Sequence, residues 1–158
     1  MSRSFILLFV LFSCISNSYV EAPEDFYFEI VTPVDKFNLK QAIFTRRYHQ
    51  KDSLINLLLS NKEVNIIYQS LINNKLDKVP INYKPDCKII GTPTFFTKVY
   101  VHINGSKRVY VYNPEYKCTR AEDVSNLSNI KKFIESINDI LNKKEEIIKM
   151  PKTDIVFL

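Results

Sequence analysis

Few side chains in this sequence are suited to chemistry. Two histidines, His49 and His102, and three cysteines, Cys14, Cys87 and Cys118, are the natural candidates for metal ligation or nucleophilic catalysis. His49 falls in a stretch that reads as helical and His102 in one that reads as a strand. They therefore lack the short, fixed spacing of a ligand pair on one element. Cys87 and Cys118 stand about 30 residues apart, whereas reactive pairs stand two residues apart at a helix start. No G-x-S-x-G elbow occurs, and two glycines, Gly91 and Gly105, cannot build a phosphate-cradling loop. The Glu145-Glu146 pair sits in a charged helix end and reads as solvated. No catalytic residue, metal site or cofactor is expected, and the residue types point toward binding rather than catalysis.

The richest stretch is VYVHINGSKRVYVY, a β-hairpin turning at Asn104-Gly105. Val99, Val101 and Ile103 alternate with Tyr100 and His102, and after the turn Val109 and Val111 alternate with Tyr110 and Tyr112. Directly paired residues share a sheet face, so the loop length decides which side chains are neighbours. A two-residue turn would pair Tyr100 with Val109 and mix valines with tyrosines on both faces. A three-residue loop, with Gly105 in the left-handed bulge position, pairs Val99 with Val109 and collects the valines on one face. The second register is expected. It would place Tyr100, His102, Arg108, Tyr110 and Tyr112, with Phe96 and Lys98, on one face as a recognition surface, because tyrosine and arginine carry binding energy at interfaces. The valine face would lie under a late amphipathic helix.

The run leading into the hairpin, IIGTPTFF, precedes a strand, Asn-Gly, a second strand and a helix. In this order it resembles the C-terminal half of thioredoxin-like proteins, including bacterial disulfide oxidoreductases. The resemblance implies that Pro93 is the cis proline lying against that family's active-site cysteines. The C-x-x-C that the family places after its first strand is missing here, and the interval from Phe96 to Asn104 is about six residues longer. The resemblance thus implies a degenerate member without redox activity. Gly91-Thr92-Pro93-Thr94 also reads as a plain turn.

The elements that would position these residues follow from periodicity and punctuation. Residues 25–31 (DFYFEIV) read as a strand. Asp35 reads as the cap of a helix over residues 36–48, Asp52 or Ser53 as the cap of a second helical stretch (LINLLLS), and Asn61 as the cap of a third. In the third, Val64, Ile67, Tyr68 and Leu71 fall on one face. Residues 79–85 form a connector and residues 87–90 a short strand. Ile130, Phe133, Ile134, Ile137, Ile140, Leu141 and Ile148 form the apolar stripe of a helix over about 127–148 that Pro151 ends. The apolar end, TDIVFL, is expected to dock as a strand or in a groove. The expected fold is α+β: helices packed on one face of a small, mainly antiparallel sheet with a central hairpin at about 95–112.

The N-terminus carries Arg3, an apolar core over residues 6–15 that is too short to span a bilayer of about 30 Å, and small residues at Ser16 and Ser18. Residues 1–18 therefore read as a signal peptide, followed by a single secreted domain over 19–158. A lipoprotein leader ending at Cys14 is the other reading. Loss of Cys14 leaves Cys87 and Cys118, an even pair that reads as one disulfide in an oxidising compartment. Asn104-Gly105-Ser106 and Asn126-Leu127-Ser128 are glycosylation sequons at Asn104 and Asn126. The chain carries a net charge of +5, which suits acidic surfaces. A secreted, non-enzymatic binding protein of effector, inhibitor or toxin type is expected, its partner an extracellular protein or an acidic glycan, with neither nucleic acid nor stable membrane insertion. The alternative is a carrier of a small apolar ligand between helices and sheet.

Overall fold

The computed structural model describes residues 20–91 and 95–156. The chain begins as an antiparallel meander: β1 (Tyr27–Val31), β2 (Asp35–Asn38), β3 (Ile43–Arg46) and β4 (Ser53–Asn56). Helix α1 (Asn61–Asn73) and a 3₁₀ turn (Leu76–Lys78) follow, then β5 (Cys87–Ile89), the hairpin β6 (Thr97–Ile103) and β7 (Ser106–Tyr112), β8 (Tyr116–Cys118), the long helix α2 (Ala121–Leu141) and a short α3 (Glu145–Ile148). The main sheet has six strands in the order β4-β3-β2-β1-β6-β7, and β5 pairs with β8 in a separate two-stranded sheet. The α+β fold expected from the sequence, with an antiparallel sheet, a central hairpin and a long C-terminal helix, is the one observed.

One row of directly paired residues crosses all six strands: Ile55, Phe44, Phe37, Ile30, Val99 and Tyr110. Phe44, Phe37, Ile30, Val99 and Tyr110 in that row are buried. They form one wall of the core, and α1 and α2 supply the other. Leu127, Ile130, Phe133, Ile134, Ile137 and Leu141 are the buried stripe of α2, each contributing about 1.5–3 kcal/mol by burial. Helix α1 buries Ile67, Tyr68 and Leu71 and begins with a capping box in which Ser60 and Glu63 satisfy each other's backbone N–H. The cap is thus Ser60 rather than Asn61. Lys144 beyond α2 donates to Glu63 at 2.8 Å and ties the two helices' ends together.

Three expectations are corrected. The stretches over residues 36–48 and 54–60 are not helical; together with Asp35 and Ser53 they supply β2, β3 and β4. Asp35 caps nothing; it faces Arg46 directly across β2–β3 and accepts from its Nε at 2.8 Å and from Nη2 at 3.0 Å. Helix α2 starts six residues before 127 and stops at Leu141, and α3 is separate, burying Ile147 and leaving Ile148 exposed.

The third correction is the hairpin register. The turn is the two-residue Asn104-Gly105, with φ of 50° and 68°, the left-handed pair that a type I′ turn requires. Ile103 therefore pairs with Ser106, Tyr100 with Val109 and Val99 with Tyr110. The faces are mixed: Tyr110 joins Val99 and Val101 inside, while Val109 joins Tyr100 outside. Tyr110 tolerates full burial because its hydroxyl donates to the Leu76 carbonyl at 2.8 Å, at the 3₁₀ turn. Burial pushes that phenol up to about 12, with Arg108 acting in the opposite sense.

Cys87 and Cys118 are directly opposed on β5 and β8 and form the expected disulfide, with Cα atoms 4.4 Å apart. Residues 151–156, the described part of the C-terminal segment, pack without forming a strand. Arg46 and Tyr48 donate to the Pro151 carbonyl, and Thr153 Oγ1 donates to the Arg47 carbonyl.

Two stability predictions follow from this packing. Tyr110→Phe should cost about 1 kcal/mol, because it orphans a buried carbonyl, and Tyr110→Ala about 3–5 kcal/mol, whereas Tyr100→Ala on the outer face should cost far less. Urea denaturation reads all three, and equal losses at both tyrosines would refute the observed register. Replacing both Cys87 and Cys118 by serine should lower stability by about 3–4 kcal/mol in the same assay.

Candidate functional site

The five residues expected on one recognition face are divided by the observed register. Tyr100 and His102 lie on the outer face of the sheet, away from the helices. Arg108, Tyr110 and Tyr112 lie on the inner side. Arg108 donates from Nη1 to the Val79 carbonyl at 2.7 Å, and Tyr112 packs against the core.

The outer face gains instead from strands that pair with β6. Within β1, Phe28 and Ile30 are buried, so Tyr27, Glu29 and Val31 must point the other way. Cross-strand pairing places Tyr27 beside His102, Glu29 beside Tyr100, and Val31 beside Lys98. On the far side of β1, Asn38 faces Glu29 and Lys36 faces Val31. The result is a small grid with aromatic residues at its centre. The Tyr27 and His102 rings stack at 4.8 Å, only 9° from parallel. Lys40 Nζ lies 5.1 Å from the Tyr27 ring centre, and Lys107 Nζ lies 5.3 Å from that of Tyr100. Lys36 and Lys98 flank Val31 from either side, about 10 Å apart at two strand spacings. Tyr27, Glu29, Asn38, Tyr100, His102 and Lys107 line a concavity of about 320 Å³.

Two acidic groups have defined partners. Glu29 accepts from Asn38 Nδ2 at 2.7 Å and lies 3.1 Å from Lys36 Nζ. Asp25, just before β1, accepts from the Gly105 N–H at 2.7 Å and so reaches the tip of the hairpin. His102 Nδ1 is 3.1 Å from the Asp25 carbonyl oxygen and 3.7 Å from its carboxylate. A carbonyl can only accept, so Nδ1 carries the proton and Nε2 is the ring's second functional atom.

Asn104 is exposed at the turn. Asn126 is half-buried within α2, where its side chain bears on the Tyr83 hydroxyl. His49 is at the other end of the sheet, where its backbone N–H donates to Asp154. Among the described residues, no group of three or more His, Cys, Asp or Glu side chains is placed to hold a metal, and no helix is long and apolar enough to cross a membrane. The signal-peptide reading, Cys14 and Pro93 lie outside the described residues. The two remaining cysteines are bonded to each other across strands.

Tyr27, Glu29, Asn38 and Lys40 were not among the residues singled out from sequence. The alternation of Phe26, Phe28 and Ile30 with Tyr27, Glu29 and Val31 carried the signal for β1, but its partner strand was not readable. Comparison with protein-family models, with curated proteins and with solved structures found no match to this chain.

The Gly105 hydrogen bond holds the Asp25 carboxyl below the ordinary range, against an opposing effect of burial. A depressed folded pKa means that this bond's stabilisation is present above the ordinary value of about 3.9 and is lost as pH falls through the lower, folded value. The Gly105 amide shift should therefore titrate with a midpoint below about 3.9, and Asp25→Asn should abolish the step. A midpoint at or above that value would show that the clamp does not form.

Proposed function

We propose that this chain is a secreted, non-enzymatic binding protein that recognises an acidic glycan through the outer face of its sheet. The observation that carries the reading is the aromatic cluster of Tyr27, Tyr100 and His102 bordered by Lys36, Lys40, Lys98 and Lys107. Rings on a flat sheet offer stacking surfaces that lose little side-chain freedom on binding. The lysines supply positive charge on long, mobile stems, and Glu29 with Asn38 adds a hydroxyl-binding polar pair in the groove. Glu24, Asp25 and Glu29 bring negative charge to this area, but the four lysines outnumber them, and the net charge of +5 favours an acidic partner. An acidic glycan fits better than a protein knob, because the polar groups of the groove lie beside the rings. The leader-like N-terminus, the disulfide between Cys87 and Cys118 and the sequon at the exposed Asn104 support action outside the cell, as an effector or inhibitor.

Immobilised heparin is the probe. The protein should be retained at low salt and eluted by added salt, as screened electrostatics demands. The double variant Lys98→Ala, Lys107→Ala should elute at clearly lower salt, as should Tyr100→Ala, with melting temperatures close to the parent's. Failure of the parent to bind at low salt, or unchanged elution of both variants, would overturn the reading.

A further inference from the structure

β4 lies at an edge of the main sheet, and its outer side is open. Ile55 pairs with Phe44 and Ser53 with Arg46, and just beyond β4 the Leu57 N–H donates to the Ala42 carbonyl at 2.8 Å. In an antiparallel ladder every second residue bonds to the same neighbour. Ser53, Ile55 and Leu57 therefore turn their main-chain groups toward β3, and Leu54 and Asn56 turn theirs outward. Among the described residues, the main-chain groups of Leu54 and Asn56 have no hydrogen-bond partner. Residues 151–156 share a concavity with Ser53 and Leu54 but bond instead to Arg46, Arg47, Tyr48 and His49.

Proteins usually protect such an edge with a lysine, a proline or a bulge. β7, at the opposite edge, carries Lys107 and Arg108. β4 has none of these devices. Its ladder to β3 runs without a bulge, and residues 53–61 (SLINLLLSN) include no charge, glycine or proline. Leu54 and Leu58 are 62% and 76% exposed.

We propose that two copies of this chain associate through β4, edge to edge and antiparallel, about a two-fold axis at Ile55. Leu54 then stands opposite the second copy's Asn56, and Asn56 opposite its Leu54. Both pairs exchange N–H and C=O groups, so every outward main-chain group of β4 is satisfied. Directly opposed residues share a face. Ile55 thus meets its own copy on the inner side, and the apolar row that runs from Tyr110 to Ile55 continues into the second sheet. On the outer side the two exposed Leu54 side chains become diagonal neighbours, about 7–8 Å apart. A second copy suits this edge because an uncharged apolar run meets an identical one and the contact closes on itself. Pairing of β4 with another copy's β7 would bring Lys107 and Arg108 to the edge and would repeat without closing.

Sedimentation equilibrium without any added ligand reads the association. A contact between short edge strands belongs with small, transient interfaces, under about 1,200 Å², so the series runs up to about 1 mM protein. A monomer–dimer equilibrium is expected. Leu54→Lys should keep the parent's melting temperature, because the side chain is exposed. It should weaken association by about tenfold or more, because it sets like charges diagonally across the axis. Cysteine cross-linking, with Cys14 replaced by serine, reads the register. Ile55→Cys should give a covalent dimer under mild oxidation, because directly opposed residues have Cα atoms within disulfide range, about 4.4–6.8 Å. Leu58→Cys, at a more exposed position, should not, because the two copies of residue 58 lie about 20 Å apart in this register. The proposal fails if the parent stays monomeric up to about 1 mM, if open-ended oligomers form, if Leu54→Lys associates as the parent does, or if Leu58→Cys cross-links as readily as Ile55→Cys.

Discussion

The hairpin turn at Asn104-Gly105 is the constraint on which most of this structure depends. Both residues take positive φ, a conformation that Asn and Gly adopt more readily than other residues. The Gly105 N–H is held by Asp25, a residue 80 positions earlier in the chain. Once the turn has two residues, every pairing along β6 and β7 follows, and a slip of one residue would exchange the two faces. The register sends Tyr110 inward to the Leu76 carbonyl and leaves Tyr100 outside. The Asp25 contact also brings the start of β1 to the hairpin tip, where Tyr27 pairs with His102. Core and outer face are thus two results of one local choice.

The sequence showed the hairpin, α2, β1, the disulfide and the α+β class, because each has a strong local signal. The Asn-Gly turn, the seven-residue spacing of the α2 stripe and the pairing of Cys87 with Cys118 could all be read without a partner. The meander β2–β3–β4 could not. Its strands have four residues each, too short to show alternation clearly. The β2–β3 connection contains neither glycine nor proline; Ala42 takes the left-handed conformation with φ of 54°, where a glycine would have announced a turn. The hairpin register was missed for a different reason. Gathering valines on one face assumed that tyrosine prefers the outside, but a buried carbonyl at Leu76 gives the Tyr110 hydroxyl a partner that only the tertiary fold supplies. The site was half legible for the same reason: Tyr100 and His102 belong to the hairpin, while Tyr27, Glu29, Asn38 and Lys40 join them through pairing with β1 and β2.

The division of labour between the faces makes physical sense of the composition. The inner face and the helices use the aliphatic and phenylalanine side chains, with Tyr110 accepted there because the Leu76 carbonyl receives its hydroxyl; Arg108 donates from Nη1 to the Val79 carbonyl, while its buried Nε has no acceptor among the described residues. The outer face holds polar aromatics and lysines, which solvate well alone. The disulfide stands apart from both, joining β5 to β8 beside α2, where the main sheet offers no pairing.

The most direct test of the account is the register itself, read by nuclear Overhauser contacts in the folded protein. Paired residues in antiparallel strands have Cα atoms about 4.5–5.5 Å apart, close enough for backbone protons to give cross-strand contacts. The account predicts such contacts for Tyr100 with Val109, His102 with Lys107 and Tyr27 with His102. Contacts one residue out of step, pairing Val99 with Val109 and Val101 with Lys107, would place Tyr110 outside with Tyr100 and contradict it.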